Sequence, residues 1–176
     1  MIRTERLVLR QWEERDREPW AAMGVDPEVM QHFPRMLDRV SADNMFDRMR
    51  SRIDENGWGL WAVERDGEFL GFTGLVLQQF EAHFTPATEV GWRFARHAWG
   101  NGYATEAGRA AIEYGFSKLE LPEIVSMTAV GNVRSRAVME RLGMSRNPDD
   151  DFEHPHVPEG SPVRSHVLYR IARPAL

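Results

Sequence analysis

The sequence predicts a mixed α/β fold with the element order β-α-α-β-β-β-α-β-α-β. Three observations lead to this fold class. A strong hairpin signal joins two apolar runs in the first half, a further alternating run follows it, and two strand–turn–helix units come in succession in the second half. Strands joined through a helix are normally parallel, so the second half predicts parallel central strands.

The first half begins with a strand and two helices. Residues 3–12 alternate apolar and polar side chains and predict the first strand. Residues 13–25 predict a helix, in which Pro19 indicates a break or a late start. Residues 41–57 predict a better helix, because apolar side chains recur every fourth residue and the range ends with glycine. Ser41 is expected to cap its start.

A β-meander and two helical units follow. Asp66 and Gly67 form a hairpin signal between strands predicted at 59–65 and 68–80. The remaining elements are a strand at 87–95, a helix from the glycine pair to about Lys118, a strand at 123–130, a helix at 132–143 and a strand at 164–172. Residues 146–163 contain four prolines and no periodicity, which is typical of a long functional loop.

Composition narrows the function classes. The length of 176 residues fits one domain, which we expect to span residues 1–176. The net charge of −5 and the lack of a basic block argue against a nucleic-acid partner. The charged N-terminal stretch lacks a signal peptide, and no apolar run reaches the ~20 residues of a membrane helix, so we expect a cytoplasmic protein without a membrane partner. The absence of cysteine excludes disulfides and thiol nucleophiles.

Two turns carry the candidate chemistry. Gly100 and Gly102 lie where a strand ends and a helix begins, and a helix start offers unpaired N–H groups and a positive dipole to an anion. Taken alone, this pair is equally well explained as a tight turn. Asn132 and Ser135 open the next helix in the same way, although both are also common helix caps. Two such units would bring two helix starts close together, with room for an elongated ligand between splayed parallel strands.

The chain resembles the GNAT superfamily of N-acetyltransferases, and within it the ribosomal-protein N-terminal acetyltransferases. The matching stretches are "TERLVLR", "GLWAVERDGEFLGFTGL", "EVGWRF", "WGNGYATEAGRAAIEYGF" and "NVRSRAVMERLGM", which span most of residues 3–145. The resemblance implies a GNAT-like, largely antiparallel sheet with splayed parallel central strands. It also implies acetyl-CoA as the acetyl donor, with no metal.

The family places the parts of acetyl-CoA along these stretches. The pyrophosphate is expected on the backbone of the glycine turn and helix start, namely Trp99, Gly100, Asn101, Gly102, Tyr103, Ala104 and Thr105. The pantetheine arm is expected along the strand at 87–95, at Trp92, Phe94, Ala95 and Arg96, with Asn132 on its other side. An amide-rich arm on an open strand edge and an anion at a helix start agree with this placement.

The sequence departs from the family pattern at two positions. Trp99 stands where many members have a basic residue, so one phosphate contact is either missing or supplied by Arg96 or His97. Many members have a tyrosine on the last helix that protonates the leaving thiolate, and the aligned residue here is Met139, which cannot donate a proton. Ser135 lies one turn earlier on the same helix face and is the available hydroxyl, either as the proton donor or as a plain cap.

The implied reaction is direct transfer of acetyl from the thioester to a primary amine while both substrates are bound. A backbone N–H near Trp92 or Phe94 is expected to stabilise the developing oxyanion. Glu89 is the leading candidate for the general base, acting through water, and its alternative is an exposed strand carboxylate.

The acceptor pocket is assigned from the family and from the long loop. Phe33 and Trp58 are expected to wall it, with core packing as the alternative. His154, in the loop at 146–163, is a further candidate for acceptor contact or for the base. The histidines of this loop have no established ligand spacing, so we predict no metal site.

Several alternatives stay open at this stage. A GNAT-like module that binds acyl-CoA as a sensor or scaffold is the second hypothesis, because the catalytic tyrosine is absent. A phosphate-binding enzyme that uses the glycine turn is disfavoured by the missing Gly-Lys-Ser/Thr. The acceptor can be a protein N-terminus, an amino acid, a polyamine or an antibiotic amine, and a homodimer is plausible by analogy.

Overall fold

The structure, a computed structural model, describes residues 1–175, and Leu176, the last residue of the expected domain, lies outside the described residues. The sheet has the order β1-β2-β3-β4-β5-β6-β9-β7, and β8 pairs with β9. Its strands are Ile2–Arg3 (β1), Val8–Arg10 (β2), Leu60–Arg65 (β3), Glu68–Gln78 (β4), Ala87–Phe94 (β5), Glu123–Ala129 (β6), Ser145–Arg146 (β7), Phe152–Glu153 (β8) and Ser165–Ala172 (β9). The helices are Arg17–Gly24 (α1), Pro27–Met30 (α2), Arg39–Asn56 (α3), Tyr103–Ser117 (α4) and Val133–Arg141 (α5). The predicted fold class, a mixed and largely antiparallel sheet with flanking helices, is confirmed.

The sheet separates two hydrophobic cores. On one face, α4 and α5 pack over apolar residues such as Val90, Phe94 and Leu75. On the other face, α1, α2 and α3 pack over Phe69 and Phe72. Each strand presents alternate side chains to the two faces, so neighbouring residues of β5 lie on opposite sides of the sheet. Within residues 1–175, none of the helices has the length and apolar character needed to cross a lipid bilayer.

Local sequence signals account for several turns. Asp66 and Gly67 both have positive φ, 51° and 85°, as the predicted two-residue hairpin between β3 and β4 requires. Gly57 ends α3 in the left-handed conformation at φ 75°. The helix predicted at 13–25 starts late, at Arg17, after one turn of 3₁₀-helix.

Two local predictions are wrong. Asp38, not Ser41, caps α3, because the helix begins at Arg39 and the Asp38 carboxylate accepts from the Ser41 backbone N–H at 2.8 Å. The single strand predicted at 3–12 is two short strands, β1 and β2, which pair with each other in antiparallel fashion.

A buried ion pair joins β2 to the 3₁₀ turn that precedes α1. The Arg10 guanidinium donates to both carboxylate oxygens of Asp16 at 2.7 and 2.9 Å, and Asp16 is 1% exposed. Glu64 of β3 accepts a further hydrogen bond from Arg10 at 2.7 Å.

The predicted loop at 146–163 contains regular structure that the sequence pattern does not reveal. One 3₁₀ turn at Pro148–Asp150 and the short strand β8 lie within it, and β8 pairs with β9. Arg170 of β9 donates to Asp150 at 2.9 Å, which fixes the segment to the sheet. The four prolines suppress the periodicity on which the sequence-based assignment depends.

The strands β5 and β6 form the parallel pair that the sequence predicts. Among residues 1–175 they pair at one position, Glu89 opposite Val125, and then separate. Beyond that position β6 continues to pair with β9, and β5 continues to pair with β4. A wedge-shaped gap therefore opens in the middle of the sheet.

Candidate active site

The gap between β5 and β6 belongs to a continuous cleft of about 2270 Å³ that reaches both faces of the sheet. Two side chains replace ladder hydrogen bonds where the strands part. The Ser126 hydroxyl donates to the Val90 carbonyl at 2.9 Å, and the Met127 backbone N–H bonds to the Glu89 carboxylate. The separation is thereby stabilised without leaving these strand groups unpaired.

The edge of β5 that faces the gap is open. The carbonyls of Val90 and Phe94 point away from β4, because Val90 accepts from Ser126 and Phe94 accepts from the Trp99 indole N–H at 2.8 Å. Backbone groups two residues apart in a strand share an orientation, so the N–H of Trp92 also points into the gap. This N–H is available to an oxygen atom bound between the strands.

The start of α4 borders the cleft on the α4–α5 face. Gly100 and Gly102 have φ of 77° and 78°, a left-handed conformation that favours glycine. No side chain caps this helix, and within residues 1–175 the backbone N–H groups of its first three residues have no acceptor. Three unpaired N–H groups and the helix dipole form an anion seat beside the gap.

Two guanidinium groups lie beside this seat. The Arg96 and Arg134 side chains stack on the Trp99 ring, with Cζ at 4.9 and 4.6 Å from the ring centroid. Arg96 also pairs with Glu28 of α2 at 3.0 Å, and both partners are exposed. His97, the other candidate for phosphate charge, turns away from the cleft and pairs with Glu68 at 3.1 Å.

The N-terminal segment holds the first turn of α4 in place. Glu106 accepts hydrogen bonds from the Thr4 hydroxyl at 2.6 Å and from the Arg6 backbone N–H at 2.9 Å. Arg6 also forms an ion pair with Glu106 at 2.6 Å and donates to the Asn101 carbonyl at 3.0 Å. These contacts give the "TERLVLR" stretch a structural role in positioning the glycine turn.

The second helix start lies opposite. Asn132 is the N-cap of α5, and its side chain accepts from the Ser135 backbone N–H at 3.2 Å and donates to Thr128 at 2.9 Å. Ser135 is therefore not the cap, and its hydroxyl makes no hydrogen bond with residues 1–175. Met139 is 1% exposed and packs into the core on the α4–α5 face.

Glu89 faces the cleft at the point where the strands part. Gln78 of β4 donates to its carboxylate at 2.5 Å, and the Met127 N–H provides a second hydrogen bond. Burial nevertheless raises the pKa of Glu89 to about 7, because loss of solvation outweighs the two hydrogen bonds that favour the charged form. A carboxyl group with this pKa is poised to accept a proton at neutral pH.

His154 is less suited to that role. Burial and the neighbouring His166 and His156 lower its pKa to about 4, so the ring is neutral at pH 7. Its Nδ1 accepts from the His156 backbone N–H at 3.2 Å, which assigns the ring proton to Nε2. His154 is thus suited to donate a hydrogen bond rather than to accept a proton.

Most of the predicted site residues meet in this one cleft. The predicted residues that line it are Glu89 and Ser135; Trp92, Phe94, Arg96, Trp99, Gly100, Gly102, Tyr103, Ala104, Thr105 and Asn132; and Phe33, Trp58 and His154. Ala95 and Asn101 lie outside its lining. Ala95 packs against the core under α1–α3, and Asn101 turns to a small pocket on the other side of the turn.

Arg93 and Arg134 are among the cationic residues of the cleft that sequence reasoning missed. Period-two alternation along β5 could have identified Arg93, because it places Glu89, Gly91 and Arg93 on one face. No sequence signal distinguishes Arg134 from the other basic residues of α5. Within residues 1–175, no cluster of three or more His, Cys, Asp or Glu side chains is arranged to hold a metal ion.

Comparisons with known proteins agree with this geometry. The model of the acetyltransferase (GNAT) domain matches residues 6–145. The chain is 37% identical over 146 residues to the uncharacterized protein YkkB of Bacillus subtilis, covering 80% of this chain and 83% of that protein. It is 30% identical over 179 residues to the FsC-acetyl coenzyme A-N(2)-transacetylase of Aspergillus fumigatus, covering 98% of this chain and 76% of that protein.

The fold is shared with solved structures. A GNAT-family acetyltransferase from Bacillus anthracis superimposes with a TM-score of 0.79 at 27% identity, over 98% of both chains.

Proposed function

Because this chain belongs to the GNAT acetyltransferase family, we propose that it transfers the acetyl group of acetyl-CoA directly to a primary amine while both substrates are bound. The observation that carries the proposal is the gap between β5 and β6, with an anion seat on one side and Glu89 on the other. The similarity to a transacetylase that uses acetyl coenzyme A supports the choice of donor. We assign the domain to residues 1–176.

The donor half of the cleft fits coenzyme A. The unpaired N–H groups at the start of α4 would hold the pyrophosphate, and Arg134 and Arg96 lie close enough to add positive charge. The open edge of β5 would pair with the amide groups of the pantetheine arm, as an added strand does. The thioester would then lie near the Trp92 N–H, which stabilises the negative charge that develops on the carbonyl oxygen.

Glu89 and Ser135 carry out the two proton transfers of the reaction. Glu89 takes a proton from the attacking amine, directly or through water, so that the nitrogen lone pair forms the new C–N bond. The C–S bond breaks, and the Ser135 hydroxyl donates a proton to the departing thiolate. Ser135 regains a proton from solvent, and Glu89 releases one, so that both groups return to their starting states.

The first experiment measures thiol release from acetyl-CoA with a panel of amines that includes N-terminal peptides, amino acids, polyamines and antibiotic amines. We expect amine-dependent thiol release and intersecting initial-velocity lines, because both substrates bind before transfer. Parallel lines would contradict direct transfer. CoA binding by calorimetry without thiol release from any amine would show a sensor and not an enzyme.

Ser135→Ala tests the proton donor. It should lower kcat by roughly tenfold or more while the KM for acetyl-CoA stays unchanged, because general acid catalysis contributes to the chemical step. Ser51→Ala is the matched control, since Ser51 is an exposed helical serine outside the cleft. Equal kcat values for the two variants would remove Ser135 from the mechanism.

A further inference from the structure

Arg93 is a buried cation without a counter-charge. The residue is 9% exposed, and neither Nε nor Nη1 has a hydrogen-bond partner within residues 1–175. Its surroundings are aromatic, with Cζ at 4.0 Å from the Phe33 ring centroid, 5.3 Å from Trp20 and 5.7 Å from Phe72. Aromatic faces stabilise a guanidinium, but they do not replace the hydrogen bonds that its N–H groups lose on burial.

The burial leaves this group charged. It lowers the pKa of Arg93 to about 10, so the side chain is a cation at neutral pH. In folded proteins a buried charge is normally paired, and an unpaired one is retained at a cost in stability. No carboxylate among residues 1–175 pairs with Arg93, which lines the cleft, so its charge is left for a bound molecule to balance.

Arg93 and Glu89 flank a common floor on the α1–α3 face of the cleft. Both residues lie on the same face of β5 with Gly91 between them, and their Cα atoms are about 13 Å apart at the usual rise per residue. Gly91 is opposite Gly74 of β4, so neither strand places a side chain between the two charged groups. A Cβ added at Gly91 would meet no atom within 4 Å, which shows that the floor is open.

We infer that the acceptor amine carries a carboxylate of its own, which Arg93 binds while the amino group lies toward Glu89. This inference rests on the proposed acetyl transfer. A carboxylate matches the site because it accepts hydrogen bonds from a guanidinium and its single charge balances one arginine. Phe33, which is 38% exposed at the cleft, offers an apolar surface to the rest of the molecule.

Such a contact would orient the substrate as well as bind it. The carboxylate anchors the acceptor at Arg93, and its amino group is then directed toward the carboxyl group of Glu89 that takes its proton. An amine that lacks the carboxylate leaves the buried guanidinium unpaired. Sites with a buried polar group of this kind discriminate strongly against analogues that lack the matching partner.

The test uses pairs of acceptors that differ in the carboxylate alone, such as phenylalanine with phenethylamine and lysine with cadaverine. For the wild-type protein we expect kcat/KM to be roughly 10- to 100-fold higher for the carboxylate member of at least one pair, which is the range of one charged, hydrogen-bonded contact. Equal values within every pair would overturn the inference while leaving the acetyltransferase activity established.

Arg93→Met is the decisive variant, because methionine fills the aromatic site without a charge. It should abolish the preference within each pair through a higher KM for the carboxylate member, and it should melt at a higher temperature than the wild-type protein, because no buried charge remains. Arg50→Gln is the control for loss of a positive charge, since Arg50 lies on α3 outside the cleft lining. A preference that survives in Arg93→Met would assign the residue a structural role alone.

A binding measurement that needs no acetyl transfer separates the carboxylate-site inference from the proposed acetyltransferase function. Calorimetry with 3-phenylpropionate, which has a carboxylate and no amine, should show binding to the wild-type protein in the presence of CoA and a loss of at least tenfold in Arg93→Met. Equal binding to both proteins would overturn the inference. If no amine is acetylated, the proposed function fails, but a binding difference of this size still identifies the carboxylate site.

Discussion

Glu89→Gln tests the raised pKa of Glu89 through the stability of the protein. Glutamine keeps the size of the side chain and an acceptor for the Gln78 amide, and it removes the titration. In the native state Glu89 has a pKa of about 7, against an ordinary value of 4.5. Between these two values the native protein binds a proton that the unfolded chain does not bind.

The sign and size of the effect follow from that difference. Because the native state binds more protons, the free energy of unfolding of the wild-type protein falls as pH rises from about 4.5 through about 7. At about 1.36 kcal/mol per pKa unit, the full loss is about 3 kcal/mol above pH 8. The variant has no such loss. It should therefore gain about 3 kcal/mol relative to the wild-type protein between pH 4 and pH 8.5.

Urea denaturation of both proteins at half-unit intervals of pH measures this gain. The difference between variant and wild type cancels the contributions of all other ionisable groups, because both proteins retain them. A difference that does not change with pH would refute the raised pKa. The same variant should lose roughly 100-fold or more in kcat/KM, as removal of a general base does.

Three further predictions follow from contacts described above. Gly102→Val should raise the Kd for CoA by roughly tenfold or more, because valine strains the backbone φ of 78° in the turn that presents the N–H groups of the anion seat. Gly160→Val imposes the same strain at a φ of 78° outside the cleft lining and should leave the Kd unchanged, and calorimetry that finds equal Kd values contradicts the seat. Gly74→Ala places a Cβ 2.0 Å from a carbonyl oxygen and should lower the free energy of unfolding by more than about 3 kcal/mol. Gly91→Ala meets no atom within 4 Å and should change it by less than about 1 kcal/mol. Urea denaturation that ranks the two variants in reverse order argues against the open floor at Gly91. Asp16→Asn should destabilise the protein by about 3 kcal/mol, since it removes one partner of the buried ion pair, and a loss below about 1 kcal/mol in thermal unfolding would be inconsistent with that pair.

The positions that sequence alone identified correctly depend on local geometry. Asp66 and Gly67 form the hairpin because a two-residue turn needs positive φ, and few residues other than glycine, asparagine and aspartate adopt it. Gly100 and Gly102 adopt left-handed φ for the same reason. Ser41 shows the limit of such signals, because Asp38 offers an equally good cap three residues earlier and the sequence does not rank the two.

The sequence by itself therefore determined the order of the main elements, the two strand–turn–helix units and a set of site residues most of which line the cleft. The tertiary structure alone decided how the cleft works. The pKa of Glu89 depends on its burial beside Gln78 and Met127. The guanidinium of Arg93 is covered by the ring of Phe33, which comes from a distant segment of the chain. The physical reason is that backbone turns are set by neighbouring residues, whereas solvation and charge pairing are set by residues that only folding brings together.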